Sequence, residues 1–192
     1  MNFDPEINSE DLNKLTVEEL GKLFPITLVE HNPVWKERFL EEQHNILQSS
    51  GTGTIIRIEH IGSTAIPGIC AKPTIDILIE IKDKTDLDSL INNLQKIKYQ
   101  YIPKPENPPP HMMFAKGYSR TNTSDQTFHI HVRYSGDWDE IVFRDYLIAN
   151  NKTAVEYSAL KMKLSFKYKN DREKYTEAKT AFVKQVIKLA RS

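Results

Sequence analysis

Residues Thr74 to Ile81 alternate without a fault, with Ile75, Ile77, Ile79 and Ile81 on one side and Thr74, Asp76, Leu78 and Glu80 on the other. Successive side chains of a strand point to opposite faces, so this stretch is a β-strand with one face made of isoleucine alone. Such a face has to be buried by other elements, which commits the chain to a layered fold around a sheet. The opposite face carries Asp76, and an ionised carboxylate there needs a cation, hydrogen-bond donors or water.

A second stretch repeats the pattern. Phe128, Ile130, Val132 and Tyr134 point toward the core, and His129, His131 and Arg133 occupy the other face. Ile55 to Ile61 is rich in β-branched residues, Met112 to Tyr118 also reads as a strand, and Ile26 to Glu30 has strand composition. Between them lie helical patterns. Thr16 to Glu19 is a capping box that opens a short helix ending near Leu23, before Pro25. Pro33 starts another helix, whose buried stripe is Trp35, Phe39, Ile46 and Leu47. Asp86 to Ile97 supplies a third. The C-terminal stretch reads as three helices, Asp137–Asn150, Lys152–Lys169 and Asp171–Ala190, with breaks at Asn150–Asn151 and Asn170. Trp35 and Trp138 are expected in the core. Pro103 to Pro110 holds five of the ten prolines and is an irregular loop, and Arg120 to Gln126 reads as a turn.

These elements predict an α+β fold: a mixed sheet, helices packed on one face, and a helical C-terminal third. Residues 1–24 form an N-terminal extension with a short helix, and 25–192 form one domain. Lys and Arg number 26, as do Asp and Glu, so no overall field favours nucleic acid or an anionic membrane. No apolar run approaches the ~20 residues of a membrane span, and the N-terminus has no secretory pattern. Cys70 is the one cysteine, which excludes an intrachain disulfide. The expected compartment is a reducing cytoplasm. The oligomeric state is left open.

Three features carry chemistry. Gly62–Ser63 lies between a strand and a loop; glycine lets backbone approach a phosphate closely and the serine adds a hydroxyl donor. By itself this is a common turn pair. Asp76 follows one loop later. His129 and His131, at i and i+2, share a strand face about 6.5–7 Å apart, close enough to converge on one ion. Alternatively, each histidine merely hydrogen-bonds a nearby carboxylate. Lys72, before Pro73, and Arg133, beyond the histidines, are phosphate-binding candidates. Arg144 and Lys161 on the C-terminal helices are further candidates, although Arg144 can equally pair with Asp145. Lys104 and Lys116 flank the proline loop, where they would serve a lid or simply be solvated. Alternation turns His60 toward the core, and Glu59 is a possible oxygen ligand from a neighbouring strand.

The run Glu59-His60-Ile61-Gly62-Ser63-Thr64-Ala65-Ile66-Pro67-Gly68-Ile69, followed by Ala71-Lys72-Pro73-Thr74-Ile75-Asp76-Ile77, resembles the signature of the GrpB family. So do Phe128-His129-Ile130-His131-Val132, Phe143-Arg144-Asp145-Tyr146-Leu147, Glu156 to Lys161 and Tyr175 to Lys179. The likeness runs from about Leu28 to the C-terminus. It implies a fold like the minimal nucleotidyltransferases, in which a Gly-Ser turn binds nucleotide phosphates and strand carboxylates hold divalent metal. Carried over, Gly62 and Ser63 match the turn, and Asp76 the first carboxylate, so Asp76 and Ser63 become the catalytic candidates. Asp76, His129 and His131 become the candidate ligands of a divalent ion (Mg, Mn or Zn), and the implied partner is a nucleotide or another phosphorylated small molecule.

The sequence departs from that pattern at Leu78, which stands where a second carboxylate would be. Histidines replace the acid expected on the third strand. Imidazoles favour zinc or manganese over magnesium. Either a different metal serves the chemistry, or the site has become a non-catalytic accessory pocket. A related domain fused to a CoA-biosynthesis kinase points to the second possibility.

Overall fold

The computed structural model describes residues 16–51, 53–103, 107, 110–118 and 126–192. Lys104 and most of the Arg120–Gln126 turn lie outside the described residues. Among those described are six α-helices and five strands in the order α1 (Val17–Leu23), α2 (Val34–Ser50), β1 (Ile55–Ile61), β2 (Thr74–Ile81), α3 (Leu87–Lys96), β3 (Gln100–Ile102), β4 (Met112–Lys116), β5 (Thr127–Tyr134), α4 (Asp139–Ala149), α5 (Asn151–Lys167) and α6 (Arg172–Ala190). A 3-10 turn, Ser63–Ala65, follows β1.

The strands form one mixed sheet in the order β1-β2-β5-β4-β3. β2 and β5 run parallel at its centre, and the other pairings are antiparallel. The isoleucine face behaves as the alternation requires: Ile75, Ile77, Ile79 and Ile81 are all 0% exposed. Each gains roughly 2–3 kcal/mol from leaving water. They pack with Ile130 and Val132 of β5, Trp35, Phe39 and Ile46 of α2, and Leu90 and Leu94 of α3. A second cluster joins Ile66 and Ile69, in the loop after the 3-10 turn, to Phe143 and Leu147 of α4, Tyr157 of α5 and Val186 of α6.

Capping chemistry accounts for several helix starts. The Thr16 hydroxyl accepts from the Glu19 N–H and the Glu19 carboxylate accepts from the Thr16 N–H, which is the reciprocal box. Asp86 caps α3 and Asp171 caps α6 through side-chain oxygens.

Four expectations change. Ile26–Glu30 forms no strand; Val29 makes a single antiparallel bridge to Ala71. In α2 the stripe takes Glu42, held by Lys116 at 2.8 Å, and leaves Leu47 47% exposed. Lys116 is therefore a partly buried ion-pair partner rather than a lid residue. Trp138 is half-buried at the start of α4, donating its indole N–H to the Tyr134 carbonyl at 3.0 Å.

The polar sheet face is only partly open. Leu78 is 0% and Glu80 2% exposed, the latter paired with Arg57 at 2.5 Å. α4 reaches this face through ion pairs: Arg144 with Glu59 at 2.7 Å, and Glu140 with Arg133 at 3.4 Å. What stays accessible is the end near Asp76.

Candidate metal and phosphate site

The parallel pairing of β2 with β5 sets Asp76 opposite His129 and Leu78 opposite His131. Strand neighbours in register share a face, so one carboxylate and two imidazoles converge. One ligand-type atom from each lies within 4.8 Å of the others. His129 Nδ1 is 3.3 Å and His131 Nε2 3.7 Å from Asp76 Oδ1. Asp76 is 29% and His131 26% exposed at the side chain, so the cluster is reachable from solvent.

The turn after β1 abuts this cluster. Gly62 has φ 71° and ψ −170°, a combination essentially reserved for glycine. A Cβ built there would lie 2.4 Å from Asp76 Oδ2. Glycine is thus required twice, by backbone conformation and by the carboxylate beside it. Ser63 enters the 3-10 turn directly after Gly62.

The protonation states suit a cation. Burial alone would raise the Asp76 pKa, but the hydrogen bond with His129 and the nearby His131 imidazole outweigh it and hold the carboxyl well below its usual range. Burial lowers the His129 pKa, against the pull of Asp76, and favours neutral imidazole. The Tyr118 hydroxyl lies 2.6 Å from His129 Nε2, with the two rings stacked at 5.7 Å. A hydroxyl can donate or accept, so Tyr118 is an outer partner that orients this imidazole in either tautomer.

Cations crowd the same end. Burial lowers Lys72 to about 8, with Arg172 and Lys179 adding repulsion and Asp76 opposing it. Lys161, 2% exposed, is lowered to about 7 by burial, with Lys179 and Lys72 contributing. It donates to the Cys70 carbonyl and lies 4.7 Å from the Tyr157 ring centroid. Lys179 is likewise lowered by burial and feels Asp76. Arg172 acts on Tyr118.

Lysine pKa values depressed in the fold mean that the unfolded chain binds more protons, so stability rises with pH. For Lys161 that window runs from about 7 to the ordinary 10.5. The ligand-free protein is therefore expected to melt at higher temperature at pH 9 than at pH 7.5, with a smaller rise in Lys161→Met. Thermal unfolding at fixed ionic strength measures this.

Several sequence candidates are drawn elsewhere. Arg144 is occupied by Glu59, Asp145 and the His60 carbonyl, and pins α4 to β1. Glu59 is consumed by the same contact. Arg133 sits beside Glu80 in register and turns to Glu140 and Trp138. His60 faces the core as alternation requires, stacked on Phe39 at 4.8 Å. Tyr118, Arg172 and Lys179 were not among the sequence candidates. No local period marks them, and the one signal was that Lys179 closes the Tyr175–Lys179 stretch that resembles the family pattern.

A mixed five-stranded sheet with six helices among the described residues, three of them in the C-terminal part, defines an α+β protein. The family model for GrpB protein matches residues 25–189, and the chain belongs to that family. Among its relatives is glutamate-rich protein GrpB of Alkalihalophilus pseudofirmus, 36% identical over 166 residues covering 84% of this chain and 94% of that one. The crystal structure of conserved protein GrpB from Enterococcus faecalis superposes with a TM-score of 0.73 at 30% identity, covering 85% of this chain and 96% of that one. A dephospho-CoA kinase of Mycolicibacterium paratuberculosis is 24% identical over 189 residues, covering 86% of this chain and 46% of the kinase. No helix among the described residues is long and apolar enough to cross a membrane.

Proposed function

We propose that the protein holds a divalent metal ion through Asp76, His129 and His131 and binds beside it a nucleotide or another phosphorylated small molecule, as a nucleotidyltransferase-like protein. The observation that carries this reading is the convergence of those three groups, within 4.8 Å, against a turn that only glycine can occupy. Two imidazole nitrogens and one carboxylate oxygen suit zinc or manganese better than magnesium. Such an ion supplies Lewis-acid polarisation of a phosphoryl oxygen. The ligands need little preparation, because Asp76 is ionised and His129 is held neutral in the fold.

The chain's other residues suit the phosphates. Gly62 brings the turn against Asp76, and Ser63, next in the turn, offers a hydroxyl donor beside it. Lys72, Lys179 and Arg172 supply positive charge, and the Asp76 carboxylate favours the charged forms of Lys72 and Lys179. Crowded, partly desolvated cations are costly by themselves, and an anionic ligand relieves that cost. Arg133 and Arg144, engaged with acids, are better suited to fixing the fold than to touching phosphate.

A second reading is an accessory domain that binds without turnover. Leu78 favours it, since the buried leucine removes an oxygen ligand that two-metal phosphoryl transfer would use. A dephospho-CoA kinase with a related stretch over less than half its length also suits a module attached to other enzymes. Calorimetric titration with ATP in the presence and absence of Mn²⁺ or Zn²⁺ tests the shared premise. Metal-dependent nucleotide binding is expected; the absence of binding by either ion or nucleotide would sink both readings. Release of labelled pyrophosphate then separates transferase from accessory.

A further inference from the structure

A second hollow lies beside the free edge of β1, at the corner where α2 from one side of the sheet meets α4 from the other. We infer that it is a binding site for a small aromatic or apolar molecule carrying one anionic group, separate from the metal cluster and independent of the reading given to that cluster. Its volume of about 450 Å³ falls within the range of small-molecule sites.

Phe39, Leu40, Pro67 and Ile148 line it with hydrocarbon. Leu40 and Ile148 are each 50% exposed, an unfavourable setting for branched aliphatic side chains unless something covers them. The Phe39 and His60 rings, nearly parallel at 13°, add flat surface. His60 is lowered to about 4, chiefly by burial, so this pair presents neutral rings near pH 7.

Polar groups in the hollow specify the rest. Lys36 has no acidic partner among the described residues, which leaves one uncompensated positive charge at the rim. Arg144 is held by Glu59 and Asp145, so its charge is already matched. His31 Nδ1 is sealed from solvent and makes no hydrogen bond among the described residues. An apolar body with an anionic end satisfies the hydrocarbon wall and Lys36 together.

The hollow and the metal cluster share the 3-10 turn. Thr64 and Ala65 line the hollow, while Gly62 borders Asp76. The Thr64 hydroxyl lies 3.0 Å from His60 Nε2 and donates to the Thr74 carbonyl at 3.2 Å, two residues before Asp76. A ligand against His60 therefore presses on a hydrogen-bonded chain that ends at the start of β2.

The test is a titration of the ¹⁵N-labelled full chain with 2-naphthoate, and with 2-naphthalenemethanol as its neutral counterpart. Saturable amide shifts centred on Thr64, Ala65 and Ile148 are expected for both. Leu40→Glu, at a half-exposed position, should weaken both by about tenfold or more. Lys36→Ala should weaken naphthoate alone. Ile148→Glu, on α4, repeats the first test should Leu40→Glu fold poorly. Metal affinity should survive in all three variants, which keeps this result apart from the metal reading. Shifts that do not saturate, that centre on Asp76 and His129, or that persist unchanged in Leu40→Glu and Ile148→Glu would overturn the assignment.

Discussion

Replacing Asp76 with alanine is expected to weaken Mn²⁺ or Zn²⁺ binding by about 100-fold or more while the protein stays folded. Asp76 is the cluster's one oxygen donor and its one negative charge. Without it, two imidazoles remain as ligands, and the ion meets the charge of Lys72 and Lys179 with no carboxylate to offset it. The fold tolerates the loss because the side chain is 29% exposed, so water can reach the freed imidazole N–H groups. The isoleucine face of β2, which secures the strand, is untouched. Titration calorimetry reads the affinity and circular dichroism the fold. Unchanged metal affinity in Asp76→Ala would remove the cluster from consideration as an ion site.

Gly62→Ala is expected to cost stability as well as metal affinity, in contrast to Asp76→Ala. Forcing alanine into φ 71° and ψ −170° costs about 1–3 kcal/mol before any contact is considered. The new methyl would then sit 2.4 Å from Asp76 Oδ2, closer than van der Waals contact allows, so strand or turn must shift. Asp76 is the flexible party, and its displacement separates the carboxylate from the two histidines. A double variant isolates this: in Gly62→Ala with Asp76→Ala the steric part should be recovered while the conformational part remains. Urea unfolding of the two single variants and the double variant measures it. Equal stability of Gly62→Ala and the unsubstituted protein would contradict the close approach.

Local pattern made much of this molecule legible. The faultless alternation of Thr74–Ile81 fixed both a strand and its buried face, because every second side chain is the same β-branched residue. His129 and His131 were visible as a pair because a strand's period of two puts i and i+2 together. The box at Thr16 and Glu19 was readable for the same reason: its chemistry is complete within four residues.

What escaped was non-local. No local period pairs Asp76 with His129, since 53 positions separate them; the family resemblance, not the pattern, joined them as one ligand set, and the parallel pairing of β2 with β5 brings them together. Tyr118, Arg172 and Lys179 reach the cluster from a strand end and from α6, positions with no shared period. For Arg144 the neighbour Asp145 was a legible partner, but its second partner, Glu59, lies 85 positions away in the chain. Leu47 fits the helical stripe of α2, yet Glu42 is buried there because Lys116 on β4 supplies its counter-charge. Ile26–Glu30 has strand composition, but Ala71 offers Val29 no more than a bridge. Composition supplies propensity; a partner decides whether it is used.

Central to this account is one ion held jointly by β2 and β5 beside the glycine turn. A crystal soaked with Mn²⁺ and a non-hydrolysable nucleoside triphosphate tests it most directly, through anomalous difference density. The account predicts a peak about 2.0–2.3 Å from Asp76, His129 and His131, with phosphate oxygens between it and Gly62–Ser63. Density without such a peak, with both imidazoles still turned onto Asp76, would contradict it.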